Sequence, residues 1–136
     1  TKDFQQLFLV NKLIIDKKYK IKLIENKIVR NNMGLALSSR NQHLSDKGLE
    51  NASFIYKSLR AAKNEFVKNN KTNDAVKVGI HMLSENDIDL DYFEILDQNT
   101  FSSPKRTTKK FIIIVAAYVE GIRLIDNVQF EVGAIK

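Results

Sequence analysis

The stretch GLALSSRN, residues 34–41, gathers two adjacent hydroxyls and a guanidinium. These groups belong to Ser38, Ser39 and Arg40, and no periodic apolar face surrounds them that core packing would require. Hydroxyls, nearby backbone N–H groups and a bidentate guanidinium are suitable donors for a phosphate, and Gly34 gives the backbone the freedom to form such a loop. The alternative is a capped turn whose arginine pairs with a nearby carboxylate. The stretch lacks the GxxxxGK[ST] pattern of a P-loop.

A second group of polar residues stands at the start of the first predicted helix. Free N–H groups and the helix dipole favour anions at such a position, and Lys2 adds a mobile positive charge beside Asp3. The amides of Gln5 and Gln6 can both donate to and accept from a ligand that carries hydroxyls. The alternative is a plain Asp3 cap, a terminal lysine and two surface amides.

The other chemistry-bearing residues are few. His43 and His81 are the only histidines, and neither has a second ligand at helical spacing, so no metal site is predicted. The sequence has no cysteine, which excludes disulfides, thiol catalysis and zinc–thiolate sites and fits a reducing cytoplasm. The longest apolar run, 111–119, is the size of a strand, so we predict no transmembrane helix. We also predict no signal peptide, because no basic region precedes an apolar segment at the N-terminus.

The charge balance is basic. The formal net charge is +6, from 22 Lys and Arg against 16 Asp and Glu, which is compatible with nucleic acid, anionic lipid or an anionic small substrate as a partner. The two densest basic patches lie at 17–22 and 105–110. Neither interleaves aromatics as a single-strand binder does, so we interpret both as solvated surface. A basic, non-enzymatic α+β module that binds nucleic acid or a protein partner stays open as the alternative.

The first forty residues read as a fragment of an α/β layout. Apolar spacing predicts a helix over 3–16, with Asp3 as its N-cap. Alternation predicts a short strand over 20–25. Ile28 and Val29 predict a further extended piece, which ends at a polar turn and leads into the loop with the two serines.

Residues 43–136 read as a separate α+β unit of two helices and a three-stranded antiparallel sheet. Ser45 is a plausible N-cap for a long helix with an apolar stripe, and Thr72 or Asn73 is the predicted cap of a second helix that ends near residue 84. Strands are predicted over 89–97, 111–119 and 122–132, with the nearly continuous apolar run in the centre and a tight turn at residues 120–121.

Four segments together resemble one enzyme family: KDFQQL, IVRNNMGLALSSRNQHLS, DYFEILD and VAAYVEGIRLIDN. They are similar, in order along the chain, to the C-terminal half of pantothenate synthetases, also called pantoate–β-alanine ligases. The resemblance implies that residues 1–42 form the tail of a Rossmann-like nucleotide-binding domain and that residues 43–136 form a C-terminal lid domain. It also implies an N-terminal region with a His-x-Gly-His motif, which this sequence lacks.

The resemblance implies a cytoplasmic, ATP- and Mg²⁺-dependent condensation of pantoate with β-alanine. Pantoate first forms pantoyl adenylate and pyrophosphate, and β-alanine then displaces AMP. The residues carried over from the family motifs are four for the triphosphate and catalysis, one for the ribose, one for adenine and one for pantoate: Lys2, Ser38, Ser39 and Arg40; Asp3; the backbone around Val29; and Gln6. Small molecules are thus the expected partners, with no nucleic acid, membrane or protein-bound metal.

Two further expectations concern this chain alone. It should be inactive by itself, because the family's His-x-Gly-His donors are absent. We also expect a homodimer, because five apolar residues would lack the partners that the rest of a parallel sheet supplies: Phe4, Leu7, Phe8, Ile21 and Leu23.

Overall fold

The computed structural model describes residues 3–16 and 27–132, with a three-stranded sheet between helices. The helices and strands are α1 (Phe4–Asp16), a 3₁₀ helix (Ser39–His43), α2 (Asp46–Asn69), α3 (Thr72–Ser84), β1 (Asp89–Asp97), β2 (Lys110–Val119) and β3 (Ile122–Glu131). The strand predicted over 20–25 lies outside the described residues. Within 3–16 and 27–132, no helix combines the length and apolarity needed to cross a membrane.

The sheet is antiparallel with strand order β1-β2-β3. Its central strand is β2, as its apolar run predicts, and the run from Phe111 to Ala117 is buried throughout. Glu120 and Gly121 turn the chain directly into β3, both with positive φ (52° and 77°). The predicted α+β architecture of two helices on a three-stranded antiparallel sheet is therefore confirmed.

The main core lies between one face of this sheet and the helices α2 and α3. Leu59 of α2, Leu83 of α3 and Val115 of β2 are all fully buried there. The predicted cap of α2 is confirmed, because the Ser45 hydroxyl accepts a hydrogen bond from the Gly48 N–H at 3.0 Å. Burial of these apolar side chains holds the sheet and both helices together as one layered unit.

The opposite face of the sheet carries α1. Phe4 is buried against Leu96, Ile112 and Ile114, and Phe8 stacks on Phe101 with 5.5 Å between ring centroids. The expectation that Phe4, Leu7 and Phe8 lack partners is therefore wrong, because the second face of the antiparallel sheet covers them. Ile21 and Leu23 lie outside the described residues, and the homodimer stays a prediction.

The connection between α2 and α3 differs from the predicted one. The N-cap of α3 is Lys71, not Thr72 or Asn73, and no side chain caps the helix. Asn70 adopts the left-handed conformation at the end of α2, and the Asn69 side chain accepts a hydrogen bond from the Lys71 N–H at 2.9 Å. This turn reverses the chain within two residues, so α3 begins at Thr72.

Gly79 allows α3 to approach β1 closely, and we expect Gly79→Ala to be destabilising. A Cβ there would lie 2.3 Å from Cζ of Phe93, whose ring is buried in the core. Overpacking of this kind typically costs about 1–3 kcal/mol, more than the helix propensity of alanine returns. Urea unfolding measures the loss, and the exposed Lys77→Ala is the control, expected within about 0.5 kcal/mol of the parent. Equal stability of the two variants would contradict this packing argument.

Candidate functional site

A short hairpin leads into the loop with the two serines. Arg30 and Ala36 form an antiparallel bridge, and the Asn31 side chain accepts hydrogen bonds from the N–H groups of Met33 and Leu35 at 2.9 and 3.0 Å. Gly34 has a φ of 88°, and a Cβ there would lie 2.6 Å from the Tyr56 ring. The hairpin therefore needs glycine at this position for both its backbone and its packing.

The loop itself is a capped 3₁₀ turn. The Ser38 hydroxyl accepts a hydrogen bond from the Arg40 N–H at 3.2 Å, and Ser39 and Arg40 are exposed. Nη1 of Arg40 donates to the carbonyl of Arg123 at 3.0 Å. In the part of the chain that the structure describes, Arg40 forms no ion pair. The turn of the alternative interpretation is present, but its arginine contacts a carbonyl and not a carboxylate.

An ion pair fixes the hairpin to β3. Nη2 of Arg30 donates to Oδ1 of Asp126 at 2.8 Å and to the carbonyl of Asn127 at 3.3 Å, while Nη1 donates to Oδ2 of Asp126 and to the carbonyl of Gly34. The Asp126 side chain is only 2% exposed. The Arg30 guanidinium also lies 3.9 Å from the centroid of the Tyr56 ring. Because the pair is bidentate and nearly dry, it sets the position of the hairpin that carries the loop.

A cavity of about 330 Å³ opens between the start of α1 and the sheet. Asp3, Gln6 and Arg123 are among the residues that line it. Asp3 directly precedes α1, and its carbonyl accepts a hydrogen bond from the Leu7 N–H at 2.9 Å. Since Arg123 both lines the cavity and holds Arg40 through its carbonyl, the loop and the cavity belong to one continuous surface.

The polar wall of this cavity comes from β1 and β3. Nε of Arg123 donates to Oδ2 of Asp91 at 3.1 Å, a bond that raises the pKa of the guanidinium. Burial raises the pKa of Tyr92, against the opposing effect of the nearby Arg123. Tyr92 therefore keeps its proton at neutral pH and faces the cavity as a possible hydrogen-bond donor.

The remaining predicted site residues are placed as follows. Lys2 lies outside the described residues. Val29 is 65% exposed, and its carbonyl accepts a hydrogen bond from the Leu37 N–H at 2.9 Å. The hairpin thus brings Val29 beside the residue that precedes Ser38. The histidines are both exposed, and Nε2 of His81 lies 3.0 Å from Glu85.

Sequence reasoning missed the residues that hold this site: Arg30, Arg123 and Asp126. One signal was available for Asp126. Strand alternation puts it on the same face as Leu124 and Phe130, where a carboxylate needs a buried cation. The identity of that cation has no sequence signal, because Arg30 lies 96 residues away.

Comparison with known proteins agrees with these placements. The profile of the family described as pantoate-beta-alanine ligase matches residues 1–129. The chain belongs to the pantoate–β-alanine ligase family. A relative in this family, the pantothenate synthetase of Buchnera aphidicola subsp. Schizaphis graminum, is 38% identical over 130 residues, covering 93% of this chain and 45% of that protein. The pantothenate synthetase of Clostridioides difficile is 35% identical over 134 residues, covering 97% and 48%.

Solved structures of the family share this fold. A crystal structure of pantothenate synthetase from Thermus thermophilus superposes with a TM-score of 0.84 at 30% identity, covering 93% of this chain and 46% of that one. Pantoate-beta-alanine ligase from Francisella tularensis, in complex with beta-gamma ATP and beta-alanine, has a TM-score of 0.64 at 28% identity, covering 93% and 40%. The chain thus spans about half the length of the family members it matches, and the predicted resemblance is confirmed.

Proposed function

We propose that this chain supplies part of the active site of an ATP-dependent pantoate–β-alanine ligase. The observation that carries the proposal is the exposed guanidinium of Arg40, held by the carbonyl of Arg123 beside the cavity that Gln6 lines. This places phosphate donors and an amide next to each other on one surface. The family membership supports the reaction class, and the Francisella relative was crystallised with an ATP compound and beta-alanine.

In the proposed first step, a carboxylate oxygen of pantoate attacks the α-phosphorus of ATP. The new bond joins that oxygen to phosphorus, the bond from the α-phosphorus to the bridging oxygen breaks, and pyrophosphate leaves with the electron pair. Ser38, Ser39 and Arg40 would donate to the triphosphate, together with Lys2. Positioning and charge neutralisation of this kind provide most of the catalysis in transfers at phosphorus.

The donor set of this loop fits a triphosphate, because hydroxyls and a guanidinium only donate to or neutralise phosphate oxygens. Magnesium, which the family resemblance implies, neutralises phosphate charge when bound. Across residues 3–16 and 27–132, no group of three or more His, Cys, Asp or Glu side chains is placed to hold a metal. We infer that the ion would be held mainly by phosphate oxygens, as Mg²⁺ often is, with Asp3 left to the ribose hydroxyls.

In the proposed second step, the amine of β-alanine attacks the acyl carbon of pantoyl adenylate. A C–N bond forms, the bond from the acyl carbon to the phosphate oxygen breaks, AMP leaves, and the amine loses a proton. The intermediate must be kept from water, because an acyl adenylate hydrolyses readily. We propose that residues 43–136 act as the lid over the site and residues 1–42 as the end of the nucleotide-binding domain.

A chimera tests this function directly. The 136-residue chain would replace the matching portion of the Buchnera relative, with AMP formation measured in the presence of ATP, Mg²⁺, pantoate and β-alanine. The chimera is expected to form AMP only when both pantoate and β-alanine are present, whereas the chain alone is expected to form none. A folded chimera that binds ATP without turnover would contradict the proposed ligase role, and turnover by the chain alone would contradict the division between the two portions.

Gln6→Ala in the chimera is expected to raise the KM for pantoate about tenfold or more while changing the KM for ATP little, because a lost hydrogen bond to a charged group has that magnitude. Initial rates at varied pantoate and varied ATP separate the two effects. The matched control is Lys12→Ala, an exposed residue later on α1. Equal increases in both KM values, or none, would place Gln6 outside the pantoate site.

A further inference from the structure

A second cavity, of about 600 Å³, lies between α2, residues 27–30 and the far part of β3. Its lining is polar and basic: Lys27, Arg30, Arg60 and Lys63, with Tyr56 and the amides of Asn64, Asn127 and Gln129. The volume falls in the range of small-molecule sites, about 300–1,000 Å³. None of the roles proposed above uses this cavity.

The charge of this cavity is positive and uncompensated. None of the lining residues is an aspartate or glutamate. Arg30 is neutralised by Asp126, but Lys27, Arg60 and Lys63 take part in no ion pair within the described residues. Three cations around one concave surface raise the local concentration of anions.

The arrangement also provides specific donors. Arg60 is exposed on α2, and its guanidinium can bind a phosphate with two parallel bonds. Lys63, one turn later on the same helix, offers a point charge. We propose that this cavity is a second anion-binding site, for a small ligand whose phosphate groups carry two or more negative charges.

The second site is distinct from the loop at Arg40. The Arg123 carbonyl that holds Arg40 and the side chain of Gln129 lie six residues apart on β3, which is about 20 Å along a strand. The Arg30–Asp126 pair stands between them. A pyrophosphate bound at one site therefore cannot reach the other, and the proposal does not depend on the ligase function.

The test is a titration of the Arg40→Ala chain with inorganic pyrophosphate, followed by amide chemical shifts. Shifts are expected at Asn64 and at 127–129. Adding Arg60→Gln and Lys63→Gln is expected to raise the Kd at least about tenfold, since two charge-assisted contacts are lost. The matched control adds Lys68→Gln and Lys77→Gln, which remove the same charge from exposed positions outside the cavity and should change the Kd by about twofold at most.

Circular dichroism checks that each variant is folded. Absence of shifts at 64 and 127–129 in the folded Arg40→Ala chain would overturn the proposal. Equal weakening by both double substitutions would also overturn it, because the binding would then reflect net charge and not this cavity. The ligase activity of the chimera is a separate readout, so the two proposals can fail independently.

Discussion

Arg40→Ala is expected to slow the release of pyrophosphate by the chimera about 10²-fold or more, the typical cost of removing one preorganised donor from a transition state. The variant should fold normally, because Arg40 is exposed and its one contact with the sheet is a hydrogen bond to the Arg123 carbonyl. Coupled detection of pyrophosphate under single-turnover conditions measures the step directly.

Arg40→Lys should recover only part of the rate, because an ammonium cannot bind a phosphate bidentately. The control is Arg106→Ala, an exposed arginine in the connection between β1 and β2, which should leave the rate unchanged. Near-normal release by Arg40→Ala would show that this loop does not hold the triphosphate.

Asp126→Ala is expected to destabilise the chain by about 3–5 kcal/mol, because it leaves the Arg30 guanidinium without the carboxylate that compensates it. The Asp126 side chain is 2% exposed and that of Arg30 18%. The free energy of unfolding in urea measures the loss.

The matched control is Asp91→Ala, which breaks the other Arg–Asp pair of the sheet. Its side chains, Asp91 and Arg123, are about 40% exposed, so solvent screens the pair and the loss should stay below about 1 kcal/mol. Similar losses for the two variants would contradict the view that burial makes the Arg30–Asp126 pair the structural anchor of the hairpin.

The sequence predicts features of the fold that depend on neighbours along the chain. The apolar run of β2 predicts its central position, Ser45 predicts the start of α2, and residues 120–121 predict the tight turn. Each signal is local, because burial on both faces, a hydroxyl cap and a positive φ each impose a residue type at one position. The cap of α3 failed as a prediction because the side chain of Asn69 and the left-handed Asn70 complete that turn instead.

The candidate site divides in the same way. Ser38, Ser39 and Arg40 stand together in the chain, so composition alone indicates an anion site. The contacts that position them do not, since Arg40 and Arg123 are 83 residues apart and Arg30 and Asp126 are 96 apart. The packing of Phe4 and Phe8 against the sheet depends on the same kind of distant contact, which periodicity within one helix cannot reveal.

The two anchors of the hairpin and its loop lie only three residues apart on β3, at the Arg123 carbonyl and the Asp126 carboxylate. The length of the 120–121 turn therefore sets the reach of Arg40. One inserted residue there would shift β3 by about 3.4 Å and exchange the faces of its side chains, moving Asp126 away from Arg30. Insertions and deletions have room in the connection of twelve residues between β1 and β2, whereas the tight turn keeps its length because it measures out the distance from the fold to the substrate.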